Sequence, residues 1–319
     1  MKPAPFVYHA PETLDEALAV LADVGQDGKV LAGGQSLVPL LSMRLASPAH
    51  VIDINKITEL GFVHADAAAV RVGALARHAA VERHAAAARA QPLLRQALQH
   101  VAHPVIRNRG TTVGSIVHAD PAGEMPAVLA LLGGEVEVAS RSGRRVIAAA
   151  DLFLGPLESS LRPDELAVEA RFPVAGAGER SAFVELARRH GDYAVCGVAV
   201  VINRVAGRLV AARAGYLSVA GTPVLLDLLE ALTGTSAGTP DGTPDGTPDW
   251  TPDGTPDWTP DWTPDWTGVD AYVQAHLDPD GDIHATAAYR RHLAGALTTR
   301  ALRAALQPAL GEAPDEAVA

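Results

Sequence analysis

"LAGGQSLVPLLSMRLASP", residues 31–48, sets two glycines side by side and follows them with a glutamine, a serine and an apolar run. The "KVLA" before them is strand-like, and "LVPLLSMRLA" has helical spacing, with Pro39 restricting where that helix can begin. A strand ending in Gly33-Gly34 lets backbone N–H groups turn toward an anion without a Cβ in the way. Gln35 and Ser36 add side-chain donors, and the start of the next helix adds a positive end. Two readings stand on this stretch alone: a pyrophosphate cradle and a plain strand-to-helix turn. No G-x-G-x-x-G accompanies it.

The surrounding chain narrows the choice. Its 319 residues, 48% hydrophobic and 20% charged, are enough for two or three domains with cores of their own. A net charge of −11, with arginines only scattered or paired (Arg144-Arg145, Arg188-Arg189, Arg290-Arg291), argues against a nucleic-acid binder. No apolar stretch reaches the ~18 residues of a spanning helix, and "MKPAPFVYHAPETLDEAL" has no apolar signal region, so a cytoplasmic location is expected. The one cysteine, Cys196, excludes an internal disulfide and, from this chain alone, a zinc or iron–sulfur site built on several thiolates. Its setting, "YAVCGVAVVI", reads as a buried strand and a core thiol. No HExxH, Gly-x-Ser-x-Gly or Walker A pattern occurs; of the twelve histidines only His118, beside Asp120, sits near a chemically suggestive neighbour.

"TLDEALAVLADVG" predicts a first helix with Thr13 as N-cap, Glu16 completing a capping box and Gly25 beyond its end. "HVIDINKI" is a buried strand, and "GFVHADAAAVRVGALA" a hairpin turning near Asp66. "RHAAVERHAAAARAQPLLRQALQHV" is helical, broken at Pro92. "RNRGTTVGSIVHADPAGEMPAVLALLG" reads as a loop, a short strand, a second loop and a helix, and "GEVEVASRSGRRVIAAADLF" as another hairpin. Composition shifts at "RFPVAGAGERSAF", residues 171–183. Beyond it the pattern predicts three antiparallel strands, a helix at "VLLDLLEAL", and one or two C-terminal helices in "ATAAYRRHLAGALTTRALRAAL". Between these helices runs a tract of Thr-Pro-Asp with Gly or Trp as the fourth residue. A proline every four residues forbids a helix and removes sheet donors. The tract is either a solvated loop or a partner contact through its tryptophans, which are all four of the chain's.

"RNRGTTVGSIVHADPAGEMP", residues 107–126, repeats the chemistry of the opening stretch with Gly110 and Gly114, the hydroxyls of Thr111, Thr112 and Ser115, and then Asp120 and Glu124. A loop of this kind can hold a polyanion while its carboxylates take sugar hydroxyls. Two such loops about eighty residues apart suggest one dinucleotide held between two subdomains.

Four ordered motifs, "KVLAGGQSLVPLLSMRLASPAHVIDI", "RNRGTTVGSIVHADPAGEMP", "ARRHGDYAVCGVAV" and "YRRHLAGALTTRAL", resemble the FAD-binding medium subunit of molybdenum hydroxylases, the carbon monoxide dehydrogenase/xanthine dehydrogenase family. The resemblance runs from residue 3 to about 233 and resumes near 286. It implies an α+β chain with a vanillyl-alcohol-oxidase-type two-subdomain FAD fold, residues 1–57 and 58–176. A C-terminal domain, 177–319, would carry a three-stranded antiparallel sheet, helices and the inserted tract 234–267. By position it implies that Lys29 and the run Ala32, Gly33, Gly34, Gln35, Ser36 and Leu37 form the first diphosphate loop, and Thr111, Thr112, Val113, Gly114 and Ser115 the second. Asp120 and Glu124 would lie near the ribityl and ribose hydroxyls, Leu166 by the pyrimidine end of the ring, and Tyr193 beside the isoalloxazine. It further implies noncovalent FAD and no metal or catalytic residue on this chain. The partners implied are a small subunit with [2Fe–2S] clusters and a large molybdopterin subunit, assembled as a dimer of heterotrimers, with an external electron acceptor. The chain departs from the family in two places. The second loop usually reads Thr-Ile-Gly-Gly-Asn, so Val113 must hold a negative φ or be strained. Where members often carry a lysine before "ARR", Val184 and Glu185 stand here, which bears on flavin potential more than on binding. Two other classes are a self-sufficient flavin oxidase and a flavin-free assembly protein on the same scaffold.

Overall fold

Thr13 Oγ1 accepts the amide of Glu16 at 3.2 Å and starts helix α1 (Leu14–Val24); the Glu16 carboxylate reaches back one residue further than a capping box requires, to the amide of Glu12 at 2.8 Å. The computed structural model in which these contacts occur describes residues 2–206, 208–234 and 264–307. Around α1, strands β1 (Val7–His9), β2 (Gly28–Leu31) and β3 (His50–Asp53) form a parallel sheet in the order β1-β3-β2, with α2 (Leu37–Met43) linking the last two. Pro39 is accommodated in the first turn of α2, where an amide has no helical partner to lose. Ala17, Leu18 and Leu21 of α1 pack with Ile52 and Ile54 against Leu75, Leu166 and Val168 of the next layer.

That layer is a five-stranded antiparallel sheet. Its hairpins are β4 (Val63–Ala65) with β5 (Ala69–Gly73), and β6 (Glu135–Ser140) with β7 (Gly143–Ala148). Asp66 closes the first hairpin by accepting the amides of Ala68 and Ala69, as the sequence predicts. A small hairpin, β8 (Phe153–Gly155) and β9 (Glu158–Ser159), precedes the central strand β10 (Leu166–Pro173), and the sheet order is β4-β5-β10-β6-β7. Between β5 and β6 run α3 (His78–Arg83), α4 (Ala85–Ala90), α5 (Pro92–Leu98), α6 (Pro104–Arg107), α7 (Thr112–His118) and α8 (Glu124–Leu132); α9 (Ala149–Leu152) follows β7. The Ala-rich segment therefore breaks at His84 as well as before Pro92. There His84 Nδ1 accepts the amide of Ala87 at 3.1 Å and caps a new helix.

Two sequence expectations are corrected. Residues Thr112–His118 form α7 rather than a strand: Val113 and Ile116, three apart, are both buried in the main core, and this packing outweighs the β-propensity of Thr, Val and Ile. The C-terminal sheet has four strands, not three: β11 (Glu179–Ala187), β12 (Ala194–Val205), β13 (Arg208–Leu217) and β14 (Val224–Asp227), in sequential order. "VLLD" alternates in exposure and pairs with Arg213–Tyr216, after which Asp227 caps the short α10 (Leu229–Thr233) through the amide of Leu229. Helices α11 (Trp266–His276) and α12 (Ala287–Leu306) cover this sheet, and Tyr216 Oη lies 2.9 Å from Thr298 Oγ1 in its core. Cys196 is fully buried there, and burial pushes its thiol up to about 12. Most of the Thr-Pro-Asp tract lies outside the described residues. Its flanks meet, because the amide of Asp265 donates to the carbonyl of Leu232 at 3.0 Å.

Candidate functional site

The first glycine pair lies directly on the second glycine loop. A Cβ on Gly33 would sit 2.6 Å from the carbonyl oxygen of Arg109, 2.7 Å from Gly110 Cα and 2.9 Å from the amide nitrogen of Thr111. Gly33 is thus required by close approach. The left-handed conformation belongs to its neighbour, Gly34, at φ 74°. Gln35 Nε2 folds back onto the carbonyl of Gly33 at 3.1 Å.

Above this junction opens a cavity of about 810 Å³, within the range of sites for small molecules and cofactors. Its first wall carries Lys29, Ala32, Gly33, Gly34, Gln35, Ser36 and Leu37, and its second Thr111, Val113, Gly114 and Ser115. Thr112 is the one sequence-predicted residue that does not line it: the helical turn sends its side chain inward, where Oγ1 lies 3.2 Å from Nδ1 of the buried His78. Thr111 Oγ1 is buried without a hydrogen-bond partner, and a Cβ on Gly114 would come within 2.5 Å of it. The Thr111 hydroxyl is thus packed beneath Gly114 at the cavity wall, where no side chain larger than hydrogen fits without moving it. Val113 is absent from the positive-φ residues and its side chain is buried, so the missing family glycine leaves no strain.

Asp120 and Glu124 stand together on the third side. Asp120 Oδ1 accepts the amide of Ala122 at 2.9 Å. Glu124 opens α8; burial, helped by the charge of Glu185 and then of Asp120, pushes its carboxyl up to about 8. Leu166, 3% exposed, closes one end at the start of β10. Tyr193, 68% exposed, reaches the opposite side from the bend before β12, so the C-terminal sheet contributes to the cavity. On the far side of Tyr193 lies a smaller cavity of about 460 Å³ that shares Asp120 and Asp192 with the first.

Other residues at the cavity were not among the candidates, although His118 stood out in the sequence for its nearness to Asp120. His78 is buried, and burial, with the nearby charge of Arg107, pushes its imidazole down to about 4. His118, half-buried beside Asp120, is lowered chiefly by burial, with Lys29's charge adding to it. The segment 157–167 supplies Arg162 and Glu165, the latter bonded twice to Arg145 at 2.7 Å. The hairpin read from the sequence stops at Phe153, and within this segment only Leu166 is singled out, through the family resemblance. Asn55 and Arg77 stand behind the glycine loops; a polar residue directly after a buried strand was the one available hint. Among the described residues no group of three or more His, Cys, Asp or Glu is placed to hold a metal ion, and no helix is long and apolar enough to cross a membrane.

A family model described as the FAD binding domain in molybdopterin dehydrogenase matches residues 4–175. Caffeine dehydrogenase subunit beta of Pseudomonas sp. is 42% identical over 231 residues, which is 72% of this chain and 78% of that protein. The carbon monoxide dehydrogenase medium chain of Afipia carboxidovorans is 35% identical over 237 residues, covering 74% and 82% respectively. Among solved structures, reconstituted CO dehydrogenase from Oligotropha carboxidovorans superposes with a TM-score of 0.81 at 32% identity, covering 96% of this chain and 99% of that one. Quinoline 2-oxidoreductase from Pseudomonas putida 86 gives 0.80 at 32% identity, covering 96% and 98%.

Proposed function

The chain belongs to the molybdopterin-dehydrogenase FAD-binding family, as a medium subunit of the molybdenum hydroxylases, and from that premise we propose that it holds FAD noncovalently in the 810 Å³ cavity and carries electrons from iron–sulfur clusters to an external acceptor. The observation that carries the reading is the junction itself: two glycine loops touching backbone to backbone under a cavity that both of them line. When bound, FAD supplies the ability to take electrons singly and discharge them in pairs.

The residues of the chain do the holding. Lys29 and the amides of Gly33–Ser36 would hold the diphosphate from one side and those of Thr111, Val113 and Gly114 from the other, the amides of Thr112 and Ser115 being already bonded to the carbonyls of Ala76 and Thr111. Asp120 and Glu124 take ribityl and ribose hydroxyls; a Glu124 carboxyl that keeps its proton near neutrality can donate to an oxygen as well as accept. Leu166, which lines the cavity, would pack against the pyrimidine end of the ring. Tyr193 shields the ring from water. Residues 1–57 and 58–176 form the two halves of the site, and 177–319 the third domain that brings Tyr193. The partners are a small [2Fe–2S] subunit and a large molybdopterin subunit, in a dimer of heterotrimers in the cytoplasm. Substrate meets the large subunit, so this oxidoreductase subunit does not turn over substrate alone.

Purification is the test. The chain should be yellow, acid precipitation should release the flavin into the supernatant, and substrate should bleach the flavin only when both partners are present. Colourless protein that takes up no added FAD favours the flavin-free scaffold. Bleaching of the isolated chain by substrate favours the self-sufficient oxidase.

A further inference from the structure

The two loops touch, yet among the described residues no backbone hydrogen bond runs directly between residues 32–36 and 109–115. Their polar connection passes behind the cavity. Asn55 Nδ2 donates to the carbonyl of Ala32 at 2.8 Å, immediately before Gly33. Arg77 Nη1 donates to the carbonyl of Arg109 at 2.6 Å, immediately before Gly110. Arg77 Nη2 completes the link by donating to Asn55 Oδ1, also at 2.6 Å. Asn55 is itself fixed by Asp53, whose Oδ1 accepts the Asn55 backbone amide at 3.0 Å and Nδ2 at 2.6 Å. Asp53 is steadied in turn by the Tyr8 hydroxyl at 2.6 Å.

We propose that Asn55 and Arg77 form a strut that sets the spacing of the two glycine loops and so pre-organises the cavity for its ligand; taking that ligand as FAD rests on the function proposed above. Neither residue lines the cavity, so both are positioning residues. The side-chain chemistry suits the task. Only a planar guanidinium offers two fixed donors that reach an amide oxygen and a peptide carbonyl together; an ammonium is a point charge without that fork. A side-chain amide donates to one loop through its nitrogen while accepting from the arginine through its oxygen, which neither a carboxylate nor an ammonium can do. Arg77 is held on its own backbone side as well, pairing with Thr111 in an isolated bridge, so the strut and the second loop move as one body. A binding site held in its bound geometry avoids the ordering cost that a loose one meets on binding.

Arg77→Lys, Asn55→Ala and the double variant test this. Gln91→Ala serves as a control: it removes a buried amide bonded to the carbonyl of Pro173, outside the cavity lining. Two readouts are taken. In apoprotein, hydrogen exchange should accelerate at the amides of 33–36 and of 110–115 in both single variants, and stay unchanged at β3. This readout needs no flavin and stands even if the wild type binds none. In titrations with FAD, each single variant should weaken binding about tenfold or more. The double should be no weaker than the worse single, because both act through one link. Gln91→Ala should lower the unfolding midpoint without moving either readout. Unchanged loop exchange in folded Arg77→Lys and Asn55→Ala overturns the strut, as do additive losses in the double variant. A loss that the Gln91→Ala control reproduces also overturns it. Wild-type protein that takes up no FAD overturns the proposed function alone.

Discussion

An alanine scan of the three site glycines separates the close approach at Gly33 from ordinary turn chemistry. At Gly33 the added Cβ meets three backbone atoms at 2.6, 2.7 and 2.9 Å. None belongs to a flexible side chain, so the loops must part. Overpacking of this kind costs roughly 1–3 kcal/mol, which as lost binding is about a 5- to 150-fold rise in the FAD dissociation constant. At Gly34 the contacts are two side-chain methyls at 3.2 Å, but φ is 74°, so alanine costs about 1–2 kcal/mol of backbone strain. At Gly114 the close atom is the Thr111 hydroxyl oxygen at 2.5 Å, the end of a side chain that can turn aside at a rotamer cost of about 1 kcal/mol. The expected order of lost affinity is Gly33→Ala, then Gly34→Ala, then Gly114→Ala, measured by fluorescence titration of apoprotein with FAD and by flavin-to-protein ratio after purification. Full occupancy in Gly33→Ala would refute the cradle. So would a larger loss at Gly114 than at Gly33.

Three further outcomes follow from the same geometry. The Glu124 carboxyl is raised by burial from its ordinary 4.5 to about 8, so the stability its protonated form contributes is complete below pH 4.5 and is lost as pH rises toward 8. Apoprotein should lose on the order of 2–4 kcal/mol across that window, and Glu124→Gln should flatten the curve in urea unfolding; equal slopes for both proteins would place the carboxyl in solvent. Tyr193→Ala should retain FAD but change its absorption spectrum and its reoxidation by an external acceptor more than its reduction by the iron–sulfur partner, in stopped-flow traces of the assembled complex; an unchanged spectrum and reoxidation would remove Tyr193 from the site. Deleting residues 239–263 should leave folding and flavin content intact, because the flanks already meet at Leu232 and Asp265 and shortening a closed loop lowers its entropic cost by about 1 kcal/mol. The deletion must spare Trp266, which opens α11 and lies under the Arg303 guanidinium at 4.8 Å; loss of yellow protein would make the tract structural, and lost partner assembly with intact flavin would assign its tryptophans to a contact.

The elements legible in the sequence are those in which local chemistry and tertiary packing agree. Thr13 caps where a threonine should, Asp66 turns where an aspartate should, and Cys196 lies inside a strand whose neighbours are all apolar. The misread elements are those in which they disagree. "TTVGSIVH" is β-branched throughout its apolar positions, and only the core contacts of Val113 and Ile116 make it helical. "VLLDLLEAL" has one continuous leucine pattern, but Asp227 cuts it into an edge strand and a five-residue helix by capping the latter. Asp227 is itself the local signal, a weak helix former favoured at helix starts, but the unbroken leucine spacing outweighs it in the sequence.

The site shows the same division at finer grain. Glycine and hydroxyl types mark the two loops in the sequence itself, whereas Lys29, Ala32, Leu37, Val113, Leu166 and Tyr193 come only from the family resemblance; of the sixteen positions so picked out, fifteen line the cavity, Thr112 excepted. The residues that hold the loop backbone in place were not among them. Asn55, Arg77 and Asp53 act through carbonyls of other segments, Ala32 and Arg109, which are side-chain-blind and separated from them by 23 and 32 positions. Glu185 shows the same limit. As a residue type it is a surface carboxylate in a strand, yet its side chain is 6% exposed, with His100 Nδ1 at 3.5 Å, and its charge reaches Glu124 at the cavity edge. Glu185 thus bears on the site through the charge it sets near Glu124. Swapping that carboxyl for an amide at 124 and at 185 in turn distinguishes a charge felt across the protein from one felt at the cavity wall.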